Sequence, residues 1–138
     1  FGSGKVDRLI LVATPNQGIE KDIQQYCTIF GEKLECKDMS PGSLFLNKLE
    51  TGRQADIPVH NIIGSGCDMD GGDGDGIVLT TRAHLEDARN IIINGSCDPF
   101  APLHLRLLSI SRYPETYDAI KAALDSRNET GLNTLPLS

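Results

Sequence analysis

Asp68, Asp70, Asp73 and Asp75 crowd one short loop together with Gly71, Gly72, Gly74 and Gly76, and the chain carries three histidines, His60, His84 and His104. These residue types support two kinds of chemistry. A carboxylate that accepts the proton of one imidazole nitrogen fixes the ring's tautomer. The other nitrogen is then free to take up a proton and return it. Alternatively, several carboxylates close together offer hard oxygen ligands to Ca²⁺. The EF-hand spacing fails here, because Leu79 occupies the position of the bidentate glutamate. His60 falls in a strand-like run and His84 in a helix-like one, and both are expected to be structural. His104, taken by itself, reads as an ordinary surface histidine. Each loop aspartate has a plain alternative too, as a turn residue.

Other chemistries find less support. Cys27, Cys36, Cys67 and Cys97 permit two disulfides in three connectivities. No close Cys-x-x-Cys or Cys/His pair suggests zinc. No Gly-x-Ser-x-Gly elbow occurs: in Gly2-Ser3-Gly4 the spacing differs, and a strand follows where a helix is needed. Gly4-Lys5 lacks the glycine spacing and the hydroxyl residue of a phosphate loop.

The elements that position these residues follow from periodicity. A buried strand is expected over 6–13, bounded by Thr14-Pro15-Asn16. Residues 19–39 are mixed and are expected to form a helix or loop excursion. A helix over 43–50 carries Leu44, Leu46 and Leu49, with Ser40 before Pro41 as its cap signal. A second strand spans 57–64, and 65–76 is too glycine-rich for regular structure. A short helix over 81–88, a third strand over 88–94 and a loop to Pro102 come next. A helical turn over 103–109 precedes a last helix over 114–125, where Tyr117, Ile120, Ala123 and Leu124 have helical spacing. This alternation predicts an α/β fold with about three parallel strands and flanking helices. Three strands leave edges unpaired, so the pattern reads as part of a larger sheet. If strands two and three are parallel neighbours, Cys67 and Cys97 leave them at the same level and can bridge, with Cys27 and Cys36 pairing locally. In a reducing compartment all four stay thiols.

Several segments resemble the α/β-hydrolase superfamily of lipases and esterases. Val6 to Gly18 is similar to an apolar strand followed by Gly-Thr-Pro-His-x-Gly, with Ala13 in place of the glycine and Asn16-Gln17 in place of His-x. Ser40-Pro41-Gly42-Ser43 and Phe45-Leu46 resemble the next helix. Ile62-Ile63-Gly64 with Asp73-Gly74-Asp75-Gly76-Ile77-Val78 looks like the strand and loop of the triad acid, and Pro102-Leu103-His104-Leu105 like the histidine segment. The resemblance covers residues 5–124 and implies the C-terminal part of a hydrolase domain over 1–125, with a polar tail at 126–138. It implies Asp75 as the acid and His104 as the general base. Loops at the C-terminal ends of parallel strands share one edge of the sheet, so the two can meet there. The family order Ser, Asp, His implies a nucleophile in a preceding segment of the parent protein, possessed by a complementary N-terminal fragment if the chain was nicked. The implied substrate is a lipid or other carboxylic ester. A thioesterase or amidase on the same scaffold is a weaker option. The rival is a non-catalytic binding or assembly module, with Ca²⁺ as its only cofactor prospect.

Bulk properties limit the partners. The 138 residues are 39% hydrophobic and 23% charged, enough for one folded domain. A net charge of -6 offers no basic face for nucleic acid. No apolar run is long enough for a transmembrane segment. The chain lacks an initial Met and an apolar leader, which reads as a cleaved or truncated piece. The sequons Asn94-Gly95-Ser96 and Asn128-Glu129-Thr130, together with the cysteines, predict an extracytoplasmic or secreted protein.

Overall fold

In the computed structural model of the chain, the described residues are 6–19, 33–51, 57–98 and 100–126. Their elements run β1 (Leu9–Val12), α1 (Lys33–Asp38), α2 (Leu44–Thr51), β2 (Val59–Ser65), β3 (Cys67–Met69), β4 (Gly72–Gly74), α3 (Thr80–Ala83), β5 (Arg89–Asn94), α4 (Leu103–Arg106) and α5 (Pro114–Asp125). Most of the expected excursion over 19–39, Cys27 and nearly all of the 126–138 tail lie outside the described residues.

Three strands form a parallel sheet in the order β1-β2-β5, with Val12 beside Ile62 and Ile62 beside Ile91. The central β2 is buried on both faces because both are covered, as in a parallel sheet. One face carries Ile10, Val12, Ile62, Ile91 and Ile93, packed with Leu103, Leu107, Tyr113, Ala119 and Ile120 from α4, α5 and the turn between them. The other face buries Ile63 against Val78 and Ala83. Arg8, just before β1, donates through its guanidinium to the Ala123 carbonyl and to Ser126 Oγ. It thus places a cation on the free carbonyls at the end of α5. No helix among the described residues is long and apolar enough to cross a membrane.

Four local expectations change. The glycine-rich loop contains an antiparallel hairpin, β3 against β4, turning at Asp70-Gly71 with Gly71 at φ 98°. Its glycines permit the turn rather than dissolve the pairing. The helix expected over 81–88 stops at Ala83, since His84 is extended and Asn90 holds the following segment through Leu85 and Ala88. The α2 cap is Ser43, whose hydroxyl accepts the Leu46 N–H at 3.1 Å, and not Ser40. The first strand is shorter than expected and ends before Ala13, which adopts φ 52°. That left-handed conformation costs a residue bearing a Cβ about 1 kcal/mol. It also falls where the resembled sequences carry glycine.

A buried polar ladder links the strands. Asn61, at 0% exposure in the middle of β2, donates to the Ala83 carbonyl and to Asn90 Oδ1, each at 2.8 Å. Asn16, after β1, donates to the same carbonyl at 2.7 Å. This ladder clamps the end of α3 over the sheet. Replacing Asn61 with Leu keeps the branched outline of the side chain but removes both donated bonds, although Asn16 and the Leu85 N–H still reach the two acceptors. We expect N61L to lose about 2 kcal/mol, read as a lower urea midpoint; an unchanged midpoint would mean that the ladder is stabilising nothing.

Candidate active site

The site sits where β2 and β5 end. Three glycines let the chain close there. Gly66, at φ 115°, runs so near β5 that a Cβ would stand 2.1 Å from the Gly95 carbonyl oxygen. Gly76, at φ 92°, would meet Pro102 at 2.8 Å, so only glycine lets the acid loop lie against the histidine segment. Gly64 would place its Cβ 2.7 Å from the Cβ of Asp75. We therefore expect Gly64→Ala to displace Asp75 and to cost about 1–3 kcal/mol, with the histidine signals of His104 shifting in the NMR spectrum. Unmoved His104 signals would show that the strand absorbs the methyl elsewhere.

Cys67 and Cys97 form a disulfide with Cα atoms 5.0 Å apart, tying the hairpin to the loop before α4. The bridge expected from parallel neighbours is therefore present, and it is compatible with an oxidising compartment. Cys36 is also disulfide-bonded. Its expected partner, Cys27, lies outside the described residues.

Within this frame the structure brings Asp75 and His104 together. His104 Nδ1 stands 2.7 Å from Asp75 Oδ2, and the His104 backbone N–H donates to the Asp75 carbonyl at 2.8 Å. The other carboxylate oxygen, Oδ1, accepts the N–H groups of Ile77 and Val78 at 2.9 and 2.7 Å. Asp75 is 1% exposed, while the His104 ring is partly open to solvent. A carboxylate accepts, so the geometry assigns the proton to Nδ1. Nε2, which makes no hydrogen bond among the described residues, is left as the basic nitrogen.

No family model, curated protein or solved structure matches this chain. The site is therefore read from its own geometry.

The remaining sequence candidates separate. Asp73 accepts from Ser65 Oγ, from the Gly66 N–H at 2.8 Å and from Thr80 Oγ1 at 3.2 Å, which ties the end of β2 to the hairpin and to α3. The Ser65 hydroxyl above all, aided by Gly66, Thr80 and Gly74 and opposed by desolvation, holds its carboxyl below the usual range. A depressed carboxylate stabilises the fold above its unfolded pKa of about 3.9. That contribution disappears as the pH falls through the lower folded value. Asp73→Asn should thus flatten the fall in Tm between about pH 5 and about pH 2; a variant melting as steeply as the parent would refute the role. Asp68 and Asp70 are exposed, and no group of three His, Cys, Asp or Glu among the described residues could hold a metal ion. Asp73 and Asp75 turn to different partners, so the four loop aspartates do not converge on one point.

His60 is buried at the start of β2, away from Asp75. Burial, then the guanidiniums of Arg89 and Arg8, hold its pKa below the ordinary histidine value. His84 is exposed, with its ring near Asn90 at 3.3 Å. Sequence reasoning missed the Asp73 clamp and the asparagine ladder. A signal for the ladder was Asn61, a polar residue inside the second strand beside Ile62 and Ile63.

Proposed function

We propose that this chain carries the acid and the base of a serine ester hydrolase of the α/β-hydrolase type. Asp75 orients His104, and His104 is the general base. The observation that carries this reading is the 2.7 Å contact from a buried carboxylate to Nδ1, with its second oxygen fixed by two backbone amides. That arrangement sets one tautomer and leaves Nε2 available. Nε2 would take the proton of a serine hydroxyl during attack on an ester carbonyl. It would then return the proton to the departing alkoxide. The serine and the oxyanion donors come, in this proposal, from a segment outside the chain. The β1 edge supports such a segment: it is uncharged and, among the described residues, paired on one side only. A bare edge of this kind is a template for a further strand. The substrate class, a lipid or other carboxylic ester, rests on the sequence resemblance alone.

A second reading, a non-catalytic binding or assembly module, is favoured by the lack of any Gly-x-Ser-x-Gly in the sequence. Native mass spectrometry of the source material after treatment with a fluorophosphonate probe separates the two. A labelled serine on a longer chain containing this sequence, or on a fragment bound to it, supports the hydrolase. Material containing this chain that takes no label overturns the hydrolase and leaves the binding module.

A further inference from the structure

One sequence motif remains outside the proton-relay site. Asn94-Gly95-Ser96 matches the acceptor pattern for N-linked glycans. Such tripeptides are common, so the motif needs support from its setting. Asn94 is the last residue of β5, on an edge of the sheet among the described residues. Its side chain is exposed, and it has no hydrogen-bond partner among the described residues. Ser96 is exposed as well, so both side chains that define the motif face solvent. Gly95 adds no side chain between them, and its N–H is fixed on the Ser65 carbonyl at 2.8 Å. The next residue, Cys97, is in a disulfide, which matches the oxidising compartment where such glycans are attached.

The face of the strand adds a further point. Side chains alternate along β5, so Asn90, Ile92 and Asn94 share one face while Ile91 and Ile93 enter the opposite core. Asn90 is covered by the segment after α3, but Ile92 is 53% exposed. Two residues along a strand span about 7 Å, so the first sugar on Asn94 lies within reach of the Ile92 side chain. A bulky polar group at the end of β5 also hinders the addition of another strand to that edge.

We propose that Asn94 is an N-glycan acceptor and that its glycan shields Ile92 and the β5 edge. The donor is an oligosaccharide carried on a polyprenyl pyrophosphate. Asn94 Nδ2 forms a bond to the anomeric carbon of the first sugar and gives up one proton. The bond from that carbon to the pyrophosphate oxygen breaks, and its electron pair leaves with the lipid pyrophosphate. This proposal stands independently of the hydrolase reading.

The test is secretion of the full chain from a eukaryotic cell, followed by peptide N-glycosidase digestion in ¹⁸O water and peptide mapping. The expected result is ¹⁸O-labelled aspartate at position 94, in molecules whose Cys67–Cys97 bridge is intact. Asn94→Gln and Ser96→Ala should each remove one glycan from the intact mass, while Ser96→Thr should retain it. Asn128→Gln reports on the second sequon and should leave the label at 94 unchanged. An unlabelled Asn94 in secreted, correctly bridged chain would overturn the proposal, as would a Ser96→Ala variant that keeps the same glycan mass.

Discussion

Changing Asp75 to asparagine should move the His104 proton from Nδ1 to Nε2 with little change in shape. An asparagine at 75 can still accept the N–H groups of Ile77 and Val78 through its carbonyl oxygen, where Oδ1 now stands. Its NH₂ then faces His104 Nδ1, which must become an acceptor. The imidazole proton moves to Nε2, and the nitrogen needed as a base is lost. Wrong-tautomer histidines of this kind lower kcat by about 10⁴-fold in serine hydrolases, and the proposed hydrolase function predicts the same loss. The chain by itself offers a second readout. Long-range ¹⁵N NMR should place the His104 proton on Nδ1 in the parent and on Nε2 in Asp75→Asn. A parent ring already protonated on Nε2 would sink the assignment of His104 as the base.

The second large effect concerns the disulfide. Cys67 and Cys97 are 30 residues apart, and joining them restricts the unfolded chain. Loop-closure entropy for that span is worth about 3.5 kcal/mol. For a domain of this size, that predicts a Tm about 10 °C lower in the double variant Cys67→Ala/Cys97→Ala. The effect should extend to the site, because the bridge holds the hairpin against the loop that leads to Pro102 and His104. The variant's His104 signals should broaden below the melt. A double variant that melts with the parent would show that the glycine contacts alone hold the two loops together.

The features legible in the sequence were those set by period and by strong local signals. The apolar runs around Ile10, Ile62 and Ile92 gave three parallel strands, and Pro114 with the spacing of Tyr117, Ile120 and Leu124 gave the last helix with its bounds. Parallel order then placed Cys67 beside Cys97, while the choice of Asp75 and His104 among the aspartates and histidines came from the resemblance. What stayed hidden depends on contacts between distant segments. Gly71 and Gly72 read as breakers, yet the β3–β4 hairpin needs them for its turn. The end of α3 at Ala83 is imposed by Asn16, Asn61 and Asn90, residues far from one another in the chain. Asp73 and Asp75 look alike in sequence. Only the fold sends one to Ser65 and the other to His104.

The compactness of the loop closures around Asp75 has a consequence for folding order. The carboxylate–imidazole contact spans 29 residues and the disulfide 30, and both close over the same β2–β5 pairing. Short closures of this kind carry a small entropic penalty. The stretch from Val59 to Arg106 can therefore collapse as one cooperative unit, with β1 added afterwards through a longer closure. In hydrogen exchange, the amides of β2, β5, Ile77 and Val78 should open together, and those of β1 should open earlier. The Asp75–His104 contact thus lies in the most locally built part of the described fold.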